Sequence, residues 1–307
     1  MKARTRRLCG VLLITAAIGY LAYLFRGSSD ALTRAVHESD ARSWALSIAA
    51  FVPMFFAQGI YHADLLQLMD RTDGPATRRA DLAAYLQSQI VRYIPGKVWG
   101  LLYQVEASRA RHPAARVLGA NLWQTIVTNL LSLGIAGSLI VLGSGLAPAW
   151  FAASLALASL TVTEWLHRSR RPRQWYARAL TRYPLTERLR GAAPPAPRAW
   201  RNTSLLLAEW LFFVIGLCLL LRDRLPLDDM AVAVGWYATS STFALAAVAV
   251  PAGIAVREAL FVGGQDLISG SAELLLVFAA QVRLSMLAAE LLACTLATLH
   301  CKMRSHA

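Results

Sequence analysis

The chain has 307 residues, of which 56% are hydrophobic and only 16% charged, and its mean hydropathy is +0.45. A soluble domain carries nearer one quarter charged residues, so this composition excludes an ordinary soluble enzyme and indicates an all-α, polytopic integral membrane protein. The formal net charge of +13 resolves into two clusters. Four bases (Lys2, Arg4, Arg6, Arg7) occupy the first seven residues, ten arginines face the single acid Glu187 between His167 and Asn202, and elsewhere 17 bases balance 17 acids. The excess is therefore a topology signal, and no nucleic-acid partner is indicated.

In chain order, apolar runs predict membrane helices at 8–25, 44–61, 118–142, 148–166, 204–221, 230–250 and 273–299. Each is near the ~20 residues a crossing needs, and each must be helical because lipid offers an open backbone no partners. The first run follows a basic head without a small-x-small cleavage site, so it reads as an uncleaved helix. Two further segments, 82–104 and 250–270, are apolar but broken by Pro95-Gly96 and by Pro251 and Gly253. They predict re-entrant hairpins, for about seven to eight transmembrane helices in all.

Charge orients the arrangement. With a cytoplasmic N-terminus, the loop 167–203 with its ten arginines stays cytoplasmic only if 82–104 enters and leaves on one side. The expected arrangement is multi-pass, with the N-terminus on the cytoplasmic side. The side of the C-terminus is left open, since one crossing more or less after residue 250 moves Lys302 and Arg304 across. Broken segments at comparable places in 1–166 and 204–307 suggest a two-fold internal repeat with substrate at the repeat interface. Within the basic loop, 174–189 suits a helix lying on anionic headgroups.

Arg92, Tyr93, Pro95, Gly96, Lys97 and Trp99 form the sharpest constellation. A charge at membrane depth costs at least ~2.5–3.5 kcal/mol on insertion scales, so it needs a partner or a purpose. Two cations beside a chain break suit an anionic group such as a lipid phosphate; alternatively they snorkel while Trp99 and Tyr93 anchor the interface. Arg257 and Glu258 are the counterpart on the second broken segment, as gate, counter-charge or ion pair. Arg283 and Glu290 share one helical face, and with Gln124 and Glu209 they are polar groups fit to line a cavity or to join helices. Glu106, Arg109 and Arg111 form a further charged group. No enzyme motif, cofactor site or metal-ligand spacing is visible, and Cys9, Cys218, Cys294 and Cys301 read as buried thiols.

The string Gln89-Ile-Val-Arg-Tyr-Ile-Pro-Gly-Lys-Val-Trp99, with the later Val250-Pro-Ala-Gly-Ile-Ala-Val-Arg-Glu-Ala259, resembles the lysylphosphatidylglycerol synthase transmembrane-region family. Arg283 resembles an arginine of that family's last helical region, while Ala255 stands where glycine is commoner. The resemblance implies a stand-alone, flippase-like protein without the aminoacyl-transfer domain. Such a protein moves, or helps to move, an anionic or polyprenyl-linked lipid for envelope glycolipid or polysaccharide synthesis, beside glycosyltransferase or synthase partners. The competing expectation is a membrane-embedded enzyme or accessory subunit for polyprenyl-linked glycosyl transfer, with Glu258 or Glu106 as base.

Overall fold

The computed structural model describes residues 40–70, 75–93, 98–181, 199–246, 254–268 and 272–303. The helix expected at 8–25 therefore lies outside the described residues. Among the described residues every regular element is helical: α1 (Ala41–Asp70), α2 (Pro75–Val91), α3 (Trp99–Ser108), α4 (Ala114–Ser144), α5 (Ala149–Arg168), α6 (Arg170–Thr181), α7 (Ala199–Leu221), α8 (Leu227–Ala246), α9 (Ile254–Val262) and α10 (Ala272–Met303), with a 3₁₀ turn at Gln265–Leu267. Five of these helices, α1, α4, α5, α7 and α10, are long and apolar enough to cross a membrane.

Local chemistry sets the helix ends. Asp40 caps α1 by accepting from the Ser43 N–H at 3.0 Å, the Ser43 hydroxyl at 2.9 Å and the Arg42 N–H at 3.3 Å. Those bonds, the Ser43 N–H foremost, hold its carboxyl below the usual carboxylate range. Helix α4 stops at Gly145, whose φ of 64° is the left-handed conformation that glycine adopts without strain, and Pro148 follows.

One end of the bundle is tied by ion pairs. Asp64, late in α1, holds Arg78 Nε at 2.8 Å and Arg201 Nη2 at 3.0 Å, which opens α7. Asp81, early in α2, holds Arg111 Nε and His112 Nε2, both at 2.8 Å, just past α3. Since α2 starts where α3 ends, the two are antiparallel arms, and the Tyr103 hydroxyl donates across them to Gln87 Oε1 at 2.8 Å. We term this the basic end. At the opposite end, Arg222 lies 3.7 Å from Asp40, and Arg224 donates to Gln281 at 3.3 Å.

A second pair of arms descends from that opposite end. Helix α8 runs antiparallel to α4, with Gly143 against the Asp228 carbonyl and Ser132 Oγ 3.5 Å from Thr242 Oγ1. Helix α8 is described as far as Ala246 and lies beside the later part of α4. Helix α9 then climbs back, and the Trp236 indole N–H reaches the Leu260 and Phe261 carbonyls at 3.0 and 3.1 Å. Gly264 sits so close to that indole that no side chain fits there.

The sequence reading placed a crossing at 230–250 and the turn after it. In the structure α8 covers that run up to Ala246, packed along α4, and it is not among the five helices long and apolar enough to cross a membrane. Acids at Asp228 and Asp229 open α8, where the helix dipole favours them, and a hydroxyl run from Thr239 to Thr242 lowers its apolarity. Helix α10 then returns to the basic end, where Cys301 Sγ lies 3.5 Å from the Arg79 carbonyl and Gln87 donates to Thr298 at 3.2 Å.

The order helix, paired arms, helix thus occurs twice, as α1 with α2–α3 and α4, and as α7 with α8–α9 and α10. Corresponding members run in opposite directions. The first and last sets are joined along α1 and α7, where Ser47 donates to the Gly216 carbonyl at 2.9 Å and Gln58 reaches Glu209.

Candidate functional site

A cavity of about 520 Å³ lies among α1, α2, α4, α7, α8, α9 and α10. It has two unlike walls. On one, three guanidinium groups arrive from three places in the chain: Arg92 just past α2, Arg257 on α9 and Arg283 on α10. Arg92 pairs with Glu290 of α10, and its Nη1 donates to Gln89 Oε1 at 2.6 Å. Its side chain remains 45% exposed while that of Glu290 is 1% exposed, so the carboxylate holds the guanidinium from behind. Arg257 lies over the Tyr237 ring, 5.0 Å from its centroid, and Arg92 lies 5.6 Å from that of Tyr93.

The other wall is α4. Asn121, Thr125, Thr128, Asn129 and Ser132 recur at helical spacing and line the cavity, while Leu122, Leu130 and Leu133 face outward and Trp123, Val127 and Leu131 are buried. Thr125 donates to the Asn121 carbonyl at 2.8 Å and Asn129 to the Thr125 carbonyl at 2.7 Å, which holds the stripe against its own helix. Glu209 of α7 also lines the cavity. It is 6% exposed, its Oε1 accepts from Gln58 Nε2 at 2.6 Å, and its Oε2 has no hydrogen-bond partner among the described residues.

Behind α4 runs a buried polar chain. Asn121 donates to Gln104 Oε1 at 2.8 Å, Gln104 reaches His62 Nε2, and His62 Nδ1 lies 2.8 Å from Gln124 Oε1. Gln124 then donates to the Tyr85 hydroxyl at 3.2 Å and to the Gln58 carbonyl at 3.3 Å. An amide nitrogen only donates and an amide oxygen only accepts, so this arrangement makes His62 neutral with its proton on Nδ1. The chain locks α1, α2, α3 and α4 together at the level of the cavity.

Of the residues singled out in the sequence, Arg92, Tyr93, Arg257, Arg283, Gln124 and Glu209 come together here. Trp99 does not; it is 40% exposed at the start of α3. Glu290 does not line the cavity but backs Arg92, rather than acting with Arg283 along one face. Pro95, Gly96, Lys97, Pro251 and Gly253 lie outside the described residues, as does the Glu258 side chain. Glu106 keeps Arg109 at 3.8 Å, but Arg111 leaves that group for Asp81, because a buried carboxylate is the stronger partner. The basic helix expected at 174–189 is present as α6 up to Thr181.

Sequence reasoning passed over the α4 stripe, whose signal was available: five amide and hydroxyl residues at i, i+4, i+7, i+8 and i+11. It also passed over His62 and Asp81 as network centres, whose partners lie far away in the chain. Among the described residues no cluster of His, Cys, Asp and Glu is suited to a metal ion. No family model, curated protein or solved structure matches the chain.

Proposed function

We propose that this is a flippase-like protein of the bacterial inner membrane, similar to the lysylphosphatidylglycerol synthase transmembrane-region family, that carries an anionic or polyprenyl-linked lipid across the bilayer. The basic end faces the cytoplasm, as does the N-terminus, following the positive-inside rule. The α2–α3 and α8–α9 arms are re-entrant hairpins entering from opposite faces, and the two helix–hairpin–helix units form an inverted repeat. With the segment 8–25 and the five long apolar helices this makes six crossings and two re-entrant hairpins. Helix α6, basic and with Trp175 67% exposed, lies on anionic headgroups, where synthase or glycosyltransferase partners dock.

One observation carries the reading: three arginines from separate parts of the chain converge on one cavity. Guanidinium groups at membrane depth are costly unless they serve an anion, and they match phosphate geometry. The lipid phosphate passes along them while its chain stays in the bilayer. The test is transbilayer movement of a fluorescent anionic lipid in vesicles reconstituted with purified protein. Arg92→Ala and Arg283→Ala are expected to slow it severely; rates equal to the parent protein would remove the site assignment. A covalently altered lipid would instead favour the embedded-enzyme reading.

A further inference from the structure

The two walls of the cavity ask for different things of one ligand. The arginine wall takes an anion. The α4 wall carries no charge and presents two asparagine amides and three hydroxyls. The Asn121 amide protons and the Thr125 hydroxyl proton are donated within the protein, so these groups meet a ligand chiefly as acceptors. Glu209 adds a buried carboxylate oxygen without a hydrogen-bond partner among the described residues, and Thr128 a hydroxyl in the same condition. A carboxylate oxygen needs a donor. A phosphate offers none once ionised, and an ammonium headgroup would have to sit among three guanidinium groups. The chemistry that satisfies both walls is a neutral group rich in hydroxyls, each a donor and an acceptor, attached to a phosphate.

We propose that the cavity is a glycosyl phosphate site, in which Arg92, Arg257 and Arg283 hold the phosphate of a lipid while Asn121, Thr125, Asn129 and Glu209 hold the hydroxyls of its sugar. The inference rests on the reading above, that the cavity receives an anionic lipid, and it selects the headgroup. Trp210, Phe213 and Tyr237, which also line the space, supply apolar faces for the C–H side of a sugar ring. Residues 121 to 132 then decide which headgroup is accepted, while the arginines decide only that it is anionic.

The experiment measures binding of three lipids to the purified full chain in nanodiscs by native mass spectrometry: polyprenyl phosphate, the same lipid carrying one hexose, and phosphatidylglycerol. The parent protein is expected to prefer the hexosyl lipid to each of the others by about tenfold, the worth of one or two net hydrogen bonds. Thr125→Val combined with Asn129→Leu, and separately Glu209→Gln, should bring that preference close to one. Thr125→Val keeps the side-chain shape, and its hydroxyl bonds only its own helix, so the variant is expected to fold. Equal binding of all three lipids by the parent protein, or an unaltered preference in the variants, overturns the sugar site. Failure of the parent protein to bind any of the three overturns the anionic-lipid reading itself, so the two failures are distinguishable.

Discussion

The α2–α3 hairpin is fastened by charge and hydrogen bonds, whereas the α8–α9 hairpin is fastened by aromatic rings. At the base of the first, Asp81 joins Arg111 and His112; along its arms Tyr103 meets Gln87; at its tip Arg92 meets Glu290. In the second, Tyr237, Phe261 and Phe278 form a mutual cluster with ring centroids 5.2 to 5.8 Å apart, and the Trp236 indole is hydrogen bonded to the returning arm. Ion pairs are directional and fix one geometry, while a ring cluster tolerates sliding at small cost. The difference makes the first hairpin the firmer support and the second the one freer to slide against its neighbours.

The comparison can be broken in order of effect. Phe261→Ala, at a fully buried ring, should cost about 4 kcal/mol of stability. It should loosen α9 while leaving α2 and α3 protected, as read by hydrogen exchange in detergent. Asp81→Asn should cost about 3 kcal/mol, because it leaves a buried histidine and an arginine without their carboxylate. Its loss of protection should appear in α2 and α3 alone. Matching exchange patterns in the two variants would show that the hairpins unfold as one unit. Glu290→Gln should be milder, about 1.5 kcal/mol, since Arg92 retains Gln89 and Tyr93. The same variant should tighten binding of polyprenyl phosphate, because the guanidinium no longer shares itself with a carboxylate; weaker binding would make Glu290 a positioning residue for Arg92.

The smallest effect lies outside both hairpins. Asp40→Ala removes the α1 cap and should lower the melting temperature slightly. A carboxyl held below its ordinary value stabilises the fold above the unfolded pKa of about 3.9, and that contribution is lost as pH falls through the folded value. The parent and variant should therefore differ at pH 6 and converge near pH 3 in melting experiments.

Much of this molecule was legible from its sequence because lipid constrains a chain so strongly. Length and apolarity locate α1, α4, α5, α7 and α10 to within a few residues at most ends, and Arg92, Arg257 and Arg283 stand out as charges where charge is costly. Helix starts were less legible than helix positions: the apolar run at 230–250 misses the true start of α8 at Leu227, because the acids Asp228 and Asp229 in its first turn interrupt the apolar pattern. Pairing was not legible either: Arg283 and Glu290 share a helical face, yet the carboxylate goes to an arginine elsewhere, and Arg111 prefers Asp81 to nearby Glu106. Such choices depend on which partner is buried, which no local pattern records. The α4 stripe was readable in principle, but its residues are uncharged and so do not stand out against ordinary helix contacts.

The ion pair between Arg92 and Glu290 spans 198 residues of sequence. At translation rates of 5–20 residues per second, that separation amounts to about 10–40 seconds during which the guanidinium has been made and its carboxylate has not. In that interval Arg92 has only the local amide of Gln89 and the ring of Tyr93. The first hairpin is therefore born with a temporary set of partners, and Arg92 acquires its carboxylate only once α10 has been made.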